Sequence, residues 1–346
     1  MKAAVFKAHG EPLVVEDVPD PEPGPTELIL RVRACGICGT DLHWSENTTQ
    51  GTGWRVLGAG SVMGHEFAGE VAEVGREVRG AWSVGDRVTA QPWIGCGACA
   101  ACRQGRAYLC DAVTMRASSV LDGAYAEYTR IGSTETLRLA DSVSFEQGAL
   151  VEPLAVGLNA VNKARLEAGD TVLILGAGPV GLSVALWCRF FGARHVIVSD
   201  LVAGRAERAQ ALGATAAIDA SREDVTSRVE AISGGPARVV FDCIGVPGSL
   251  QLAIDLARHD ARVMVVGLCM AADSIFPAKA ITKELDLGFV FVYRRRDFEI
   301  VVDMLATGRI EVAPLITARV GLDAFPDAFE ALKTPTDQIK VMLEPN

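Results

Sequence analysis

Hydrophobic positions in the first part of the chain fall in short runs separated by turn residues. Between residue 1 and about residue 150, β-type runs such as LILRVRA (28–34), EFAGEVAEV (66–74) and AYAEYTRI (124–131) are bounded by Gly and Pro. Such runs predict a compact, mostly antiparallel β domain. The segment VPDPEPGPTE (18–27) carries four prolines, which cannot donate to a strand ladder, so it predicts a surface turn.

Between about residue 155 and residue 290, apolar strands alternate with helical stretches. The predicted strands are TVLILG (171–176), HVIVSD (195–200), AAID (216–219), RVVFDC (238–243) and RVMVVG (262–267). The predicted helices cover about 179–191, a stretch that ends near 212, 222–233 and 249–258. This alternation is typical of a parallel sheet with helices on both faces. It predicts an α/β fold with a doubly wound sheet.

The last zone, residues 291–346, is too short to form a domain of its own. DFEIVVDMLATG (297–308) has the apolar spacing of a helix and ends near a glycine, and DAFEALK (327–333) predicts a second helix. A short predicted strand, KVMLE (340–344), follows. We expect this zone to pack on the first, β-rich zone.

The length of 346 residues suggests about two domains of roughly 150 residues. We predict one domain from residues 1–154 together with 291–346, and a second domain from residues 155–290.

Composition and charge narrow the possible partners. The chain has 33 Lys and Arg against 43 Asp and Glu, a net charge of −10, whereas nucleic-acid binding rewards clustered positive charge. Lys7 and Glu11 interrupt any apolar N-terminal signal segment. The uncharged run 171–188 contains three glycines and a proline, which favours a strand, a turn and a helix over a membrane span. We expect a cytoplasmic protein with no nucleic-acid and no membrane partner.

The segment GAGPVG (176–181) has the pattern GxGxxG between a predicted strand and a predicted helix. In a β-α-β unit, the first glycine permits a tight turn, the second admits a pyrophosphate and the third allows close packing of the helix. The helix N-terminus then attracts the phosphates. The predicted cofactor-binding residues of this loop are Gly176, Gly178, Pro179, Val180 and Gly181.

An acidic residue is expected at the end of the next strand, about 20 residues further on. Asp200 closes HVIVSD and is suited to bind both ribose hydroxyls. Its charge repels a 2′-phosphate, so the sequence favours NAD over NADP. Arg205 lies nearby and keeps NADP open as the alternative, because an arginine is able to pair with that phosphate.

Four of the nine cysteines form the pattern C-x2-C-x2-C-x7-C: Cys96, Cys99, Cys102 and Cys110. Two-residue spacing lets neighbouring cysteines bind one ion from a tight turn, and four thiolates form a closed tetrahedral zinc site. Bacterial iron–sulfur runs are spaced differently and usually end in a proline, whereas Asp111 follows here. We predict a structural zinc lobe at about residues 93–112.

A second set of candidate ligands lies in ACGICGTDLH (34–43) and GHE (64–66). Cys38, His65 and Glu66 supply a thiolate, an imidazole and a carboxylate, which suits a zinc ion with one open position. A lone His or Cys is more often a core residue, but the nucleotide-binding pattern in the same chain favours a catalytic interpretation.

Together these motifs resemble the zinc-dependent medium-chain dehydrogenase/reductase family, nearest its sorbitol, butanediol and threonine dehydrogenase branch. The resemblance covers nearly the whole chain. Its motifs are GICGTDLH, GHEFAGEV, GDRV (85–88), the four-cysteine lobe, VEPLAVGLNAV (151–161), GAGPVG and FDCIG (241–245). The resemblance implies a GroES-like, β-rich catalytic domain made from both chain ends, and a Rossmann coenzyme domain between them.

The resemblance also implies a catalytic zinc site. Cys38 and His65 correspond to zinc ligands, and Glu66 to a neighbouring or exchanging ligand. Glu152 stands where polyol dehydrogenases have a ligand glutamate, and the residues do not rank the two carboxylates. Asp41 is placed to hold a ligand histidine in orientation.

The implied reaction transfers a hydride between a secondary alcohol or diol and NAD, giving the ketone. Thr40 resembles the hydroxyl that touches the substrate oxygen, and His43 the group that passes its proton to solvent. The implied cofactors are two zinc ions per chain and NAD, and the expected assembly is a homodimer or homotetramer. An NADP-preferring reductase and a catalytically silent relative are the alternatives.

The chain departs from sorbitol dehydrogenases in residues 44–63, which lack the expected Pro-rich loop. Trp44 and Trp54 in this segment favour a more apolar or bulkier alcohol.

Overall fold

The computed structural model describes residues 1–46, 57–115, 123–334 and 336–345. The chain forms two compact units. Unit 1 comprises Met1–Glu152, Arg294–Thr334 and Lys340–Asn346, and unit 2 comprises Pro153–Tyr293 and Pro335–Ile339. Unit 1 is thus assembled from segments that are far apart in sequence.

Unit 1 begins with short strands and short helices. In chain order these are β1 (Lys2–Val5), β2 (Val14–Asp17), β3 (Glu27–Gly36), α1 (Gly39–Glu46), β4 (Glu66–Val74), β5 (Arg87–Ala90), β6 (Trp93–Ile94), α2 (Ala100–Arg103), β7 (Thr114–Met115), β8 (Tyr128–Gly132), β9 (Thr136–Arg138) and α3 (Phe145–Ala149). The next helix, α4 (Val151–Ala164), leads into unit 2.

Unit 2 alternates strands and helices around one parallel sheet. Its elements are β10 (Thr171–Leu175), α5 (Pro179–Phe190), β11 (His195–Asp200), α6 (Ala203–Arg208), β12 (Ala216–Asp219), α7 (Val225–Ser233), β13 (Ala237–Asp242), α8 (Ser249–Leu256), β14 (Ala257–Val265), α9 (Pro277–Thr282) and β15 (Asp286–Phe289). Among the described residues, six parallel strands lie in the order β12-β11-β10-β13-β14-β15. This is the doubly wound order, which binds dinucleotides where the order reverses, beside β10. The predicted doubly wound sheet is confirmed.

The chain then completes unit 1 with α10 (Arg295–Ala306), β16 (Ile316–Val320), α11 (Phe325–Ala331) and β17 (Lys340–Leu343). In the described part of unit 1, the main sheet has seven strands, with the order β16-β17-β3-β4-β5-β9 and β8 paired to β3. Its pairs are antiparallel except β16 with β17. The predicted antiparallel domain is therefore confirmed.

The return of the last zone to the first is visible in the core of unit 1. Phe325 and Phe329 of α11 are fully buried in the same hydrophobic cluster as Phe6 and Phe67. The buried apolar residues of these distant segments thus share one hydrophobic cluster.

Strand β3 lies between β4 and β17, and this arrangement matters for the site. Gly36, the last residue of β3, pairs with Glu66 of β4 and with Met342 of β17. A Cβ on Gly36 would lie 2.2 Å from a carboxylate oxygen of Glu66 and 3.0 Å from the Lys340 side chain. The absent side chain therefore leaves room for two ionisable groups to meet inside the sheet.

Some predicted elements differ from the structure. The helix predicted at 249–258 ends at Leu256, because Ala257 already pairs with Ala237 in the parallel sheet. The single helix predicted to end near residue 212 consists of α6 and a following 3-10 turn. This turn ends before Gly213, whose φ is +98°. The pattern misses β15, since its sequence DLGF is short and lacks alternation.

Within the described ranges, none of the helices is both long enough and apolar enough to cross a membrane.

Candidate functional site

The glycine-rich turn GAGPVG connects the end of β10 to the start of α5. Gly176 has a φ of +96°, a left-handed conformation that glycine adopts without strain. A Cβ on Gly181 would lie 1.9 Å from the carbonyl oxygen of Gly176, so glycine is needed for the helix to pack against the turn. A Cβ on Gly178 would meet no atom within 4 Å. The turn therefore leaves open space beside its middle glycine.

That open space lies at the N-terminus of a twelve-residue helix. Gly178 is the N-cap of α5, and its first turn begins with Pro179 and Val180. The free N–H groups and partial positive charge of such a helix end attract phosphate. The loop predicted from the sequence thus fits the pyrophosphate of a dinucleotide.

Asp200 ends β11 and contacts the glycine loop directly. Its Oδ2 accepts a hydrogen bond from the N–H of Ala177 at 2.7 Å, and its Oδ1 accepts one from the N–H of Val202 at 2.8 Å. Each carboxylate oxygen keeps a second lone pair, which leaves capacity for ribose hydroxyls. Arg205 is half-buried on α6, the helix that follows Asp200 and β11 in the chain.

The four cysteines of the zinc lobe are gathered in unit 1. The sulfur atoms of the set all lie within 4.8 Å of one another: Cys96, Cys99, Cys102 and Cys110. The N–H of Cys99 donates to the sulfur of Cys96 at 3.4 Å, and the N–H of Cys102 donates to the sulfur of Cys99 at 3.5 Å. The sulfur of Cys110 accepts from the N–H of Cys96 at 3.5 Å. Donors aimed at sulfur favour the thiolate, the form that binds metal.

The thiols of this lobe differ in acidity. Hydrogen bonds from the N–H groups of Ala98 and Cys99 lower the pKa of Cys96 to about 6. Burial raises the pKa of Cys102 to about 12. Four thiolates this close repel one another unless a cation lies between them. The donor set therefore fits a structural zinc ion with four sulfur ligands.

A second cluster in unit 1 contains Cys38, His65 and Glu66, whose ligand atoms lie within 4.8 Å of one another. Cys38 directly precedes α1, and its carbonyl oxygen accepts the N–H bonds of Asp41 and Leu42. Glu66 is the first residue of β4, and His65 directly precedes it. A thiolate, an imidazole and a carboxylate fit a zinc ion with an open position.

Glu66 is buried against Lys340, a residue that the sequence analysis does not single out. The Lys340 ammonium donates to both carboxylate oxygens, at 2.8 and 2.6 Å, and to the carbonyl oxygen of Ile37 at 2.7 Å. Burial lowers the pKa of Lys340, but the charges of Glu66, Cys38 and Glu152 raise it, and the net pKa is raised. A permanent cation therefore lies beside the cluster.

Asp41 contacts the imidazole of the cluster. Oδ1 of Asp41 lies 3.3 Å from Nδ1 of His65, which leaves Nε2 available to a metal. The hydroxyl of Tyr125 donates to Oδ2 of Asp41. Burial and the charge of Asp41 raise the pKa of Tyr125 well above its usual value, so the hydroxyl remains a donor. Burial lowers the pKa of His65, but Asp41 and Cys38 raise it above its usual value.

The remaining predicted residues lie on helices of the same unit. Thr40 and His43 are both half-buried on α1, and their spacing of three places them on one helix face. Glu152 is buried in the first turn of α4 and is not part of the described three-ligand cluster. Trp44 is buried with its ring centroid 6.3 Å from that of His65, and Trp54 lies outside the described residues.

Two family models match the chain. "Alcohol dehydrogenase GroES-like domain" matches residues 24–141, and "Zinc-binding dehydrogenase" matches residues 179–307. Sorbitol dehydrogenase of Bacillus subtilis (strain 168) is 35% identical over 349 residues, which cover 100% of this chain and 98% of that protein.

Solved structures have the same architecture. The 2R,3R-butanediol dehydrogenase from Bacillus subtilis has a TM-score of 0.86 and 30% identity, covering 100% of this chain and 99% of that one. A provisionally assigned zinc-binding dehydrogenase from Sinorhizobium meliloti 1021, solved bound to NADP, has a TM-score of 0.87 and 33% identity over 99% of both chains.

The chain belongs to the zinc-dependent medium-chain dehydrogenase family. It is an alcohol or polyol oxidoreductase that depends on zinc and a nicotinamide cofactor. The family resemblance and the combination of a GroES-like with a Rossmann domain are confirmed.

Proposed function

We propose that this dehydrogenase oxidises a secondary alcohol or a diol to the ketone, with NAD as the hydride acceptor. The observation that carries the proposal is the cluster of Cys38, His65 and Glu66 in the same unit as Thr40 and His43 of α1. Two of its relatives, sorbitol dehydrogenase and butanediol dehydrogenase, are named for a polyol and a diol.

Cys38 and His65 would hold the catalytic zinc together with a carboxylate. Glu66 is one candidate, since its oxygens keep lone pairs beyond those used by Lys340. Glu152 is the other, and its charge acts on the same Lys340 ammonium. We propose that both glutamates flank the ion and that one of them binds it directly. When bound, zinc supplies a Lewis acid that eases removal of a hydroxyl proton near neutral pH.

The proton leaves through α1. Thr40 touches the substrate oxygen and accepts its proton while giving up its own hydroxyl proton, and His43, on the same face of the helix, passes a proton on to solvent. Both side chains are half-buried, as a path from an enclosed site to water requires. Hydrogen-bonded groups in such a chain act as a general base.

NAD fits the glycine loop better than NADP. Asp200, with spare lone pairs at the end of β11, accepts hydrogen bonds from the ribose hydroxyls and repels a 2′-phosphate. NADP remains the alternative because Arg205 lies on the next helix and a relative is solved with NADP. The nicotinamide carries the hydride, and the protein orients it.

A second zinc ion in the four-cysteine lobe has a structural role. Its four sulfur ligands leave no open position for substrate. Two zinc ions per chain are therefore proposed. We assign residues 1–154 and 291–346 to the catalytic domain and residues 155–290 to the coenzyme domain.

The assembly we propose is a homo-oligomer that pairs through β15. This strand is at an edge of the described six-stranded sheet, and its residues Leu287 and Phe289 are exposed. Two more apolar residues of the preceding segment are exposed: Phe276, just before α9, and Ile281, on α9. Antiparallel pairing of β15 with a second copy satisfies the free backbone groups of both edges and buries these apolar side chains.

The assembly is tested by light scattering coupled to size-exclusion chromatography. We expect a dimer or tetramer for the wild type and a smaller species for Phe289→Lys. The control, Phe191→Lys, changes an apolar residue of the same unit that is 41% exposed, and it should keep the wild-type mass. A monomeric wild type would contradict the proposal.

The compartment we propose is the cytoplasm. All nine cysteines are free thiols, and four of them form the zinc lobe. Thiolate ligands need a reducing compartment to escape disulfide formation.

The experiment that tests the proposed function combines metal analysis with a substrate panel. We expect two zinc ions per chain and formation of NADH from secondary alcohols, vicinal diols or polyols, followed at 340 nm and repeated with NADP. Two bound zinc ions without reduction of either cofactor would identify a catalytically silent relative. Faster reduction of NADP than of NAD would establish the NADP-dependent alternative.

A further inference from the structure

Tyr125 lies behind the proposed catalytic zinc site and is not one of its ligands. Its side chain is fully buried, and its hydroxyl donates to Oδ2 of Asp41. The other oxygen of Asp41 lies 3.3 Å from Nδ1 of His65. A continuous line of contacts thus runs from the tyrosine hydroxyl through the carboxylate to the imidazole.

The backbone of Tyr125 is tied to the segment that carries His65. The N–H of Tyr125 donates to the carbonyl oxygen of Met63, and the N–H of Ala124 donates to that of Gly64, both at 2.9 Å. The two residues that directly precede His65 are therefore held by one short stretch, residues 124–125. A shift of this stretch would move His65 and Asp41 together.

The ring of Tyr125 has little freedom to turn. Its centroid lies 4.6 Å from that of Phe325 and 6.1 Å from that of Phe329, both on α11. Because α11 belongs to the segment that returns to unit 1, the hydroxyl is aimed at Asp41 by packing from a distant part of the chain. A phenylalanine at this position would keep the ring contacts and lose the hydroxyl.

Asp41 has limited means to replace that donor. The carboxylate is 0% exposed, so water does not solvate it freely, and a buried acceptor that loses its donor carries a desolvation cost. Without the hydroxyl, the carboxylate is free to rotate away from His65. The imidazole then loses the contact that orients its ring and sustains its basicity as a ligand.

We propose that Tyr125 is a positioning residue for the catalytic zinc: its hydroxyl fixes Asp41, which in turn fixes His65 as a ligand. The hydroxyl thereby sets how tightly the metal is held without touching either metal or substrate. This inference rests on the proposed zinc site at Cys38 and His65.

The test measures zinc retention in the holoenzyme of Tyr125→Phe. Competition with a chromophoric chelator should show about 10- to 100-fold weaker affinity for one zinc ion, the range typical of losing a group that orients a metal ligand. The zinc of the four-cysteine lobe is the internal control and should keep its wild-type affinity. Cobalt substituted at the weaker site should give an altered visible spectrum.

Two further variants make the result specific. Tyr128→Phe removes a hydroxyl from a half-buried tyrosine of β8 and should bind both zinc ions as the wild type does. Asp41→Asn should weaken the same zinc ion, and adding Tyr125→Phe to it should have little further effect, because both changes break one line of contacts.

The outcomes separate this inference from the proposed function. A wild type that binds zinc at the four-cysteine lobe and at no other site would overturn the proposed zinc site at Cys38 and His65. A wild type with two zinc ions, together with a Tyr125→Phe variant that retains both at wild-type affinity and keeps the cobalt spectrum, would overturn only the role of Tyr125. Equal weakening of both zinc ions in that variant would also overturn it, because general destabilisation does not select one site.

Discussion

The ammonium of Lys340 and the carboxylate of Glu66 form an ion pair whose side chains are only 1% and 2% exposed. The two residues are separated by 274 positions in the chain. Lys340 lies on β17 and Glu66 on β4, and β3 runs between these strands. A buried pair of this kind adds little net stability when intact, but removing one partner leaves an uncompensated charge.

Lys340→Met should therefore destabilise unit 1 strongly. We expect the free energy of unfolding to fall by about 3–5 kcal/mol, the range for breaking a buried ion pair, as measured by urea titration. Lys7→Met is the matched control, because the Lys7–Glu16 pair is 35% and 39% exposed and such pairs contribute at most about 1 kcal/mol.

The double variant Lys340→Met/Glu66→Leu should recover much of the lost stability, since no charge is left buried. It should not recover activity if Glu66 serves the metal. Equal losses for Lys340→Met and Lys7→Met would contradict the importance of the buried pair.

Cys99→Ser should remove the lobe zinc and lower the melting temperature in the same variant, because structural zinc binding is coupled to folding. Inductively coupled plasma analysis and calorimetry check both effects. Cys269→Ser is the control, because this thiol lies outside the four-cysteine lobe and donates to the carbonyl oxygen of Ala271. A Cys99→Ser protein with full zinc content and an unchanged melting temperature would show that the lobe does not bind zinc.

Asp200→Ala should raise the KM for NAD and increase the relative use of NADP, since it removes both the proposed ribose acceptor and the charge proposed to repel a 2′-phosphate. The carboxylate also holds the N–H of Ala177, so kcat should fall as the glycine loop loosens. The measurement is kcat/KM for both cofactors, with Asp219→Ala on the neighbouring strand β12 as control. An unchanged NAD-to-NADP ratio would rule out this role for Asp200.

His43→Ala should slow turnover mainly at low pH and should respond to added small bases, because in the proposed mechanism the change impairs only the exit of the proton. We expect a loss of about 10²-fold or less, the lower end for general acid–base groups, since water is able to bypass the relay. The pH profile of kcat is the readout, and His259→Ala, an exposed histidine, is the control. A profile identical to that of the wild type would remove His43 from the mechanism.

Arg238→Met should weaken unit 2 in a pH-dependent way. Arg238 donates to both oxygens of Glu167 at 2.9 Å, and these bonds lower the pKa of Glu167 from its ordinary value of 4.5. A carboxyl whose pKa is lowered on folding stabilises the fold above its unfolded pKa, and that contribution is lost as the pH falls through the folded pKa.

The urea midpoint of Arg238→Met should therefore lie below that of the wild type at pH 7. The difference should shrink once the pH falls below 4.5, the ordinary value for Glu167. Arg258→Met, at an exposed arginine of β14, is the control. A difference that is the same at pH 3 and at pH 7 would show that this ion pair does not contribute.

The parts of the molecule that are predictable from the sequence are those fixed by short spacing. The glycine turn, the four-cysteine lobe and the alternation of strands and helices each involve residues that are close in the chain. Local geometry then decides the outcome, as at Gly181, where a side chain would collide with the preceding turn. The fold class follows from these local patterns together with the family resemblance.

The parts that are not predictable depend on pairing between distant strands. Lys340 lies in the strand KVML, where a lysine is expected to face solvent because lysines are rarely buried unless paired. Its partner becomes visible only from the order of the strands in the sheet. Tyr125 likewise has the pattern of a core aromatic residue, and the position of Asp41 opposite its hydroxyl depends on tertiary structure.

The ion pair of Lys340 and Glu66 has a consequence for synthesis of the protein. After the ribosome has added Glu66, it must add 274 more residues before the cation that neutralises this carboxylate exists. Until then, β17 cannot join the sheet, and Glu66 lacks the cation that compensates its charge in the folded protein. The six described strands of the parallel sheet of unit 2 end at Phe289, so they are all made before β17 brings Lys340 to Glu66. The proposed zinc site shares Glu66 with this ion pair, so its carboxylate acquires its buried partner only once Lys340 has been made.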